Sequence, residues 1–304
     1  AQQDVGDKAT DADRIQAMND AIKDGAKVIV TPGYLQEAAI RDVAGKNPEV
    51  KFIFIDGYPV TAEKGGKEVL KNVAGISFKE QESGFFAGYA AVKEGFTKLG
   101  GTFGGGGTNP ACNRFANGYI LGATEAAKEM KKSIEMRISF LHGNTFSASS
   151  ELQSQINGWY ENGTEVVFSC GGSMVNSVIA AANAKNGKVI GVDTDQSKLS
   201  DCIITSAVKG LANSVKWALG EFYTGKWETI GGTGTQLGAT DDATGLPTAA
   251  ASWKMTKFTV DEYNALLAKV KAGTIKINIS EYDEALTWVE KLTVDGTITV
   301  ALEK

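Results

Sequence analysis

Apolar positions along this chain follow a beat of helix and then strand. Ile15, Met18 and Ile22 recur at i, i+3 and i+7, one face of a helix that Gly25 stops, and Val28-Ile29-Val30 follows as a short apolar run ending at Thr31-Pro32-Gly33. Leu35 to Val43 again has helical spacing, and Phe52-Ile53-Phe54-Ile55 is a continuous apolar strand that stops at Asp56-Gly57. Apolar runs without polar alternation are strands covered on both faces, as in a parallel sheet flanked by helices.

The beat continues with Val73 to Ile76 as strand, Glu80 to Lys93 as helix and Leu99 to Phe103 as strand, ending in Gly104-Gly105-Gly106-Gly107. A helix from about Asn113 to Lys131 then leads to strands near Met136 to Leu141, Val166 to Ser169 and Val189 to Val192, with helices Ser147 to Asn162 and Val175 to Ala184 between them. Ile203-Ile204-Thr205 leads into a helix through Val208, Leu211, Val215 and Leu219, then a Gly/Thr-rich stretch from Gly231 to Gly245 of surface loop and short edge strands, and a helix near Asp261 to Lys271. The expected architecture is α/β, two doubly wound parallel-sheet lobes. Residues 1–108 with 207–250 are assigned to the first lobe and 109–206 with 251–280 to the second; Glu281 to Lys304 is assigned to neither.

At 304 residues the chain is long enough for two such cores. Its formal charge of -5, with Lys and Arg spread along the chain, gives no footprint for nucleic acid. Cys112, Cys170 and Cys202 show neither a CxxC nor a Cys/His spacing, so no metal site or disulfide framework is expected, and they read as small apolar fillers. His142 is the single histidine, which removes the usual imidazole triads unless that residue serves them, so no catalytic residue is assigned. No apolar stretch reaches the roughly 18 residues that cross a bilayer, and any signal or anchor lies outside these residues.

Open parallel sheets gather ligands at the carboxyl ends of their strands. The residues there are polar, small or aromatic: Thr31 to Tyr34, Asp56-Gly57, Gly104 to Asn109, Asn144-Thr145-Phe146, Cys170 to Ser173, Asp193 to Gln196 and Ser206 to Lys209. Gly, Asp and Ser also stand at such places simply to turn the chain and cap the next helix. The glycine run lacks both GxxxxGK[ST] and a GxGxxG followed by an acidic residue, so no dinucleotide or other cofactor is expected. Asp193 and Asp195 have the chemistry of a metal pair or an acid and base, and equally of one helix cap and one hydroxyl acceptor.

Longer blocks carry more information. Lys51 to Gly57, Asn72 to Ala91 with Glu80, Glu82, Gly84 and Gly88 in it, Pro110-Ala-Cys-Asn-Arg-Phe-Ala-Asn-Gly-Tyr119, Gly163 to Gly172, Val189 to Gln196 and Thr205 to Lys209 together resemble basic membrane proteins and purine-nucleoside receptors. The match runs in order from about Ala17 to Lys209. The resemblance implies a type-I periplasmic-binding fold with lobes that close on a hinge, binding a nucleoside, of the purine kind, as a monomer partnered by an ABC-transporter permease. It also implies an extracytoplasmic place, periplasmic or lipid-anchored at the cell membrane.

Residue by residue, Phe146 matches an aromatic that stacks on the base, and Gly171 and Gly172 a tight turn that lets backbone approach the ligand. Asp193 or Asp195 matches the carboxylate that accepts the ribose hydroxyls, and Lys209 a basic residue reaching the same sugar. Asn113 or Arg114 stands where relatives place a polar residue facing the base edge, and Tyr34 reads as a lid. Glu82, Gly84 and Gly88 read as structural, the glycines permitting close helix packing. Family members begin with a strand ending in an Asp-x-Ser-Phe-Asn-like motif that touches ligand. This chain starts at the helix after it, so that part of the pocket is expected before Ala1 or not at all. The competing readings are a sugar receptor of the same fold, the ligand-sensing core of a lactose-repressor-type regulator, and a nucleoside hydrolase-like or Rossmann enzyme.

Overall fold

A computed structural model of the chain describes residues 9–277 and 297–303. The chain divides into two compact units, residues 1–78 with 210–237 and residues 79–209 with 238–304.

In the first unit, Thr10 and Asp13 form a reciprocal capping box that starts helix α1 (Asp11–Lys23). Strand β1 (Val28–Pro32), helix α2 (Glu37–Lys46), β2 (Lys51–Ile55) and β3 (Val73–Phe78) follow. After the excursion through the second unit the chain returns as helix α7 (Leu211–Tyr223) and β9 (Gly234–Leu237). The four strands pair in parallel in the order β1-β2-β3-β9. Met18, Ile40, Val43, Phe52, Phe54 and Val73 form the core on one face. The buried Asn72 amide donates to the carbonyls of Ala44, Asn47 and Val50, each at 3.0 Å, and so ties the end of α2 to β3.

The second unit holds α3 (Glu80–Glu94), β4 (Lys98–Phe103), α4 (Pro110–Met130), β5 (Ile134–Ser139), α5 (Ser150–Glu161), β6 (Val166–Cys170), α6 (Met174–Lys185), β7 (Lys188–Asp193), β8 (Ile203–Lys209), β10 (Thr244–Gly245), α8 (Val260–Lys271) and β11 (Ile298–Glu303). Its sheet runs β10-β8-β7-β6-β4-β5-β11, parallel except for β10. The central order β5-β4-β6-β7-β8 is the doubly wound 2-1-3-4-5 arrangement, whose topological switch point lies between β4 and β6.

The unit boundary corrects the sequence-based division at residue 108. Helices α3 and α4 are locked together: a Cβ on Gly84, Gly88, Gly118 or Gly122 would run into the carbonyl oxygen of Phe115, Tyr119, Gln81 or Phe85 respectively. Close packing through glycine fixes α3, and β4 after it, in the second unit. Residues 238–246 go with them, because Glu82 accepts from Ala239 N–H and from the Thr244 hydroxyl, both at 2.6 Å, and Gly245 N–H donates to the Ser83 hydroxyl at 3.0 Å. Glu82, Gly84 and Gly88 thus have the structural roles expected of them.

Two further differences concern the elements themselves. Val208 lies in β8, which runs to Lys209, so the helix predicted through it begins only at Leu211. Of the segment left unassigned, most lies outside the described residues, and Ile298–Glu303 pairs in parallel with β5. Glu303 there accepts from the Trp159 indole at 2.8 Å and the Gln155 amide at 2.9 Å.

Candidate functional site

The switch point is built from glycine. Gly104 N–H, just after β4, donates to the Cys170 carbonyl at the end of β6 at 2.8 Å, and Gly105 N–H donates to Gly143 at 2.9 Å. Phe146 is held over this floor by its own backbone: its N–H donates to Gly143 at 3.1 Å and its carbonyl accepts from Ser173 N–H at 2.9 Å. A side chain on Gly104 would strike the Phe146 ring, one on Gly172 its carbonyl, and one on Gly171 would stand 3.0 Å from the ring. Phe146 adopts φ 58°, a left-handed conformation that is costly for a bulky residue. Such strain persists where the surroundings over-determine it, which is typical of ligand clamps. Its ring is half-buried.

Beside this platform stands a chain of alternating charges. Arg114 Nε, on α4, lies 2.6 Å from Glu80 Oε2 at the start of α3. Lys209 Nζ, at the end of β8, lies 3.6 Å from Glu80 Oε1 and 3.2 Å from Asp193 Oδ1 at the end of β7, with the Phe115 ring centroid at 5.3 Å. Arg114, Glu80 and Lys209 are buried, whereas the Asp193 side chain is 38 % exposed. Asp193 also takes a left-handed backbone, φ 63°. Burial, the Cys112 thiol and the nearby Asp193 carboxylate push the Cys170 thiol well above its usual range against the pull of Lys209, which marks this cluster as adjoining the end of β6.

The sequence-predicted residues therefore divide. Phe146, Gly171 and Gly172 come together, as do Arg114, Lys209 and Asp193. Asn113 is buried and its amide donates to the Gly107 carbonyl at 3.0 Å, supporting the glycine loop. Asp195 accepts from Ser197 N–H at 3.0 Å and from the Ser252 hydroxyl. Burial raises its pKa, but those bonds outweigh it and hold the carboxyl below its ordinary range. Tyr34 lies in the other unit, in a short 3-10 turn, and is 42 % exposed. Glu80 was missed as a site residue: an acid at the first position of a helix reads as a dipole partner, and nothing local announces partners 34 and 129 positions away.

Chemically, the half-buried aromatic offers a face to a planar ring, and the exposed edge of Asp193 offers acceptors to hydroxyls. Among the described residues no group of three or more His, Cys, Asp or Glu side chains is placed to hold a metal ion.

Residues 2–281 match the model of the Bmp family, described as ABC transporter substrate-binding protein PnrA-like. The chain belongs to this family. Among Bmp relatives it is 30 % identical over 233 residues to basic membrane protein B of Borreliella burgdorferi, covering 75 % of this chain and 64 % of that protein. It is 29 % identical over 217 residues to the ABC transporter nucleoside-binding protein BmpA of Lactococcus lactis, covering 65 % and 57 %. The chain thus spans about three-fifths of the length of these relatives. A solute-binding protein of an ABC transporter system from Aeropyrum pernix shares the fold with a TM-score of 0.67 and 22 % identity, over 93 % of this chain and 86 % of that one. The Bmp chain accordingly has the α/β type-I periplasmic-binding fold. No helix of the described residues is long and apolar enough to cross a membrane.

Proposed function

We propose that this chain binds a purine nucleoside at the carboxyl end of its seven-stranded sheet, as the extracytoplasmic substrate-binding component of an ABC transporter. The observation that carries the reading is Phe146, strained at φ 58° on a glycine floor at the switch point, with the Asp193–Lys209 pair at neighbouring strand ends. In this reading the base lies on the Phe146 ring and the ribose hydroxyls donate to Asp193, which Lys209 holds in place. Asp195, whose oxygens serve Ser197 and Ser252, shapes the loop and leaves the sugar to Asp193. Arg114 acts through Glu80. The nucleoside-binding relative from Lactococcus supports the ligand class.

A carrier of this kind needs stacking and hydroxyl acceptors but no nucleophile or proton shuttle. It acts as a monomer delivering ligand to a membrane permease, outside the cytoplasm, either in the periplasm or lipid-anchored at the cell membrane. Thermal denaturation with a nucleoside panel tests the reading. A purine nucleoside at a hundredfold excess over its Kd should stabilise the protein by about 2.7 kcal/mol through linkage. A shift with a sugar or amino acid and none with any nucleoside would overturn it.

A further inference from the structure

Glu80 is wholly buried and touches both cations of the site. One of its oxygens takes Arg114 Nε at 2.6 Å and the other faces Lys209 Nζ at 3.6 Å. The three residues come from separate elements, the start of α3, the first turns of α4 and the end of β8, so the carboxylate is where those elements' charges meet. A buried cation left short of a partner is a strong attractor for an anion, because the low-dielectric surroundings screen it poorly. Asp193, with its side chain 38 % exposed, faces Lys209 at 3.2 Å. Glu80, with its side chain wholly buried, faces Lys209 at 3.6 Å and holds Arg114 as well, where the positive end of α3 further favours a carboxylate.

We infer that Glu80 is the specificity-determining residue for ligand charge. By compensating Arg114 and Lys209 together, it restricts the site to uncharged ligands and rejects their phosphorylated counterparts. Glu80 acts through the field of the site, without touching ligand. The inference rests on the nucleoside reading above and deepens it.

Its signature is a selectivity that follows charge and not fit. Calorimetric titration would compare three ligands of like shape: a purine nucleoside, its 5′-monophosphate and its 5′-amino-5′-deoxy analogue. E80Q should improve the affinity for the monophosphate relative to the parent at least about tenfold, the effect of one unit charge acting over about 10 Å in a protein-like dielectric. R114Q removes one positive charge from beside Glu80 and should move the 5′-amino analogue up by a similar factor. The double variant E80Q/R114Q should return to the wild-type order.

A merely structural role would weaken all three ligands together. Ratios that stay within about twofold of wild type in E80Q and R114Q overturn the inference. Removing one partner of a buried pair is strongly destabilising. Should E80Q not fold, R114Q decides alone, by a gain or no gain for the 5′-amino analogue. Failure of the wild type to bind any nucleoside would instead overturn the nucleoside reading itself.

Discussion

Lys209 and Asp193 stand 3.2 Å apart, ammonium to carboxylate oxygen, with the lysine side chain 3 % exposed and the aspartate 38 %. The cation is sealed while the anion looks outward. Lys209 is therefore placed to orient the Asp193 carboxylate.

Substituting Asp193 by Ala should lower ribonucleoside affinity about 10- to 100-fold, the worth of roughly 1.5–3 kcal/mol for hydrogen bonds to a charged group. Free-base affinity should fall much less. Asp195→Ala should leave that ratio unchanged and lower thermal stability instead, because its oxygens hold Ser197 and Ser252. Titration calorimetry with a ribonucleoside and its free base distinguishes the two carboxylates, and equal losses at Asp193 would remove it from the sugar.

Phe146→Leu keeps an apolar side chain but loses the flat face. Stacking on an aromatic side chain is worth about 1–3 kcal/mol per base, so purine nucleoside affinity should fall roughly 5- to 100-fold. Unchanged affinity would make Phe146 a packing residue of the core it borders.

Gly88→Ala tests the α3–α4 contact. The added methyl collides with the Tyr119 carbonyl, a backbone atom that cannot swing away. Overpacking of this kind typically costs about 1–3 kcal/mol, seen as a lower urea midpoint at unchanged m-value. A midpoint equal to wild type would mean the helices separate at no cost.

Glu94 supplies a pH dependence. Burial raises its pKa, but the N–H groups of Phe258, Thr256 and Lys257 outweigh that and hold it below the ordinary glutamate value. A depressed folded pKa gives stability that is present above the unfolded value and is lost as pH falls through the folded one. The melting-temperature gap between wild type and Glu94→Gln should therefore be widest near neutral pH and close as pH falls below the usual glutamate range. A gap that widens in acid would contradict the assignment.

Much of the fold was legible because buried parallel strands announce themselves. Phe52 to Ile55 and Val189 to Val192 are apolar without alternation, and both are strands covered on each face. Strand ends could likewise be found, so Phe146, Gly171, Asp193 and Lys209 were in view. What local pattern cannot carry is the long-range pairing. The unit boundary at Phe78 depends on α3 meeting α4 through glycine, contacts between segments tens of residues apart. Glu80 escaped for the same reason, since its role exists only once Arg114 and Lys209 are beside it. Asp193 and Asp195 were inseparable by spacing, and the turn that gives one to Lys209 and the other to Ser252 separates them.

Titration calorimetry of the protein, unfolded and refolded to strip any carried-over ligand, against purine nucleosides, free purines, sugars and amino acids tests the central claim most directly. Saturable one-to-one binding of a purine nucleoside, stronger than that of its free base, is the predicted result. Binding of a sugar or an amino acid, with no heat from any nucleoside, would contradict it.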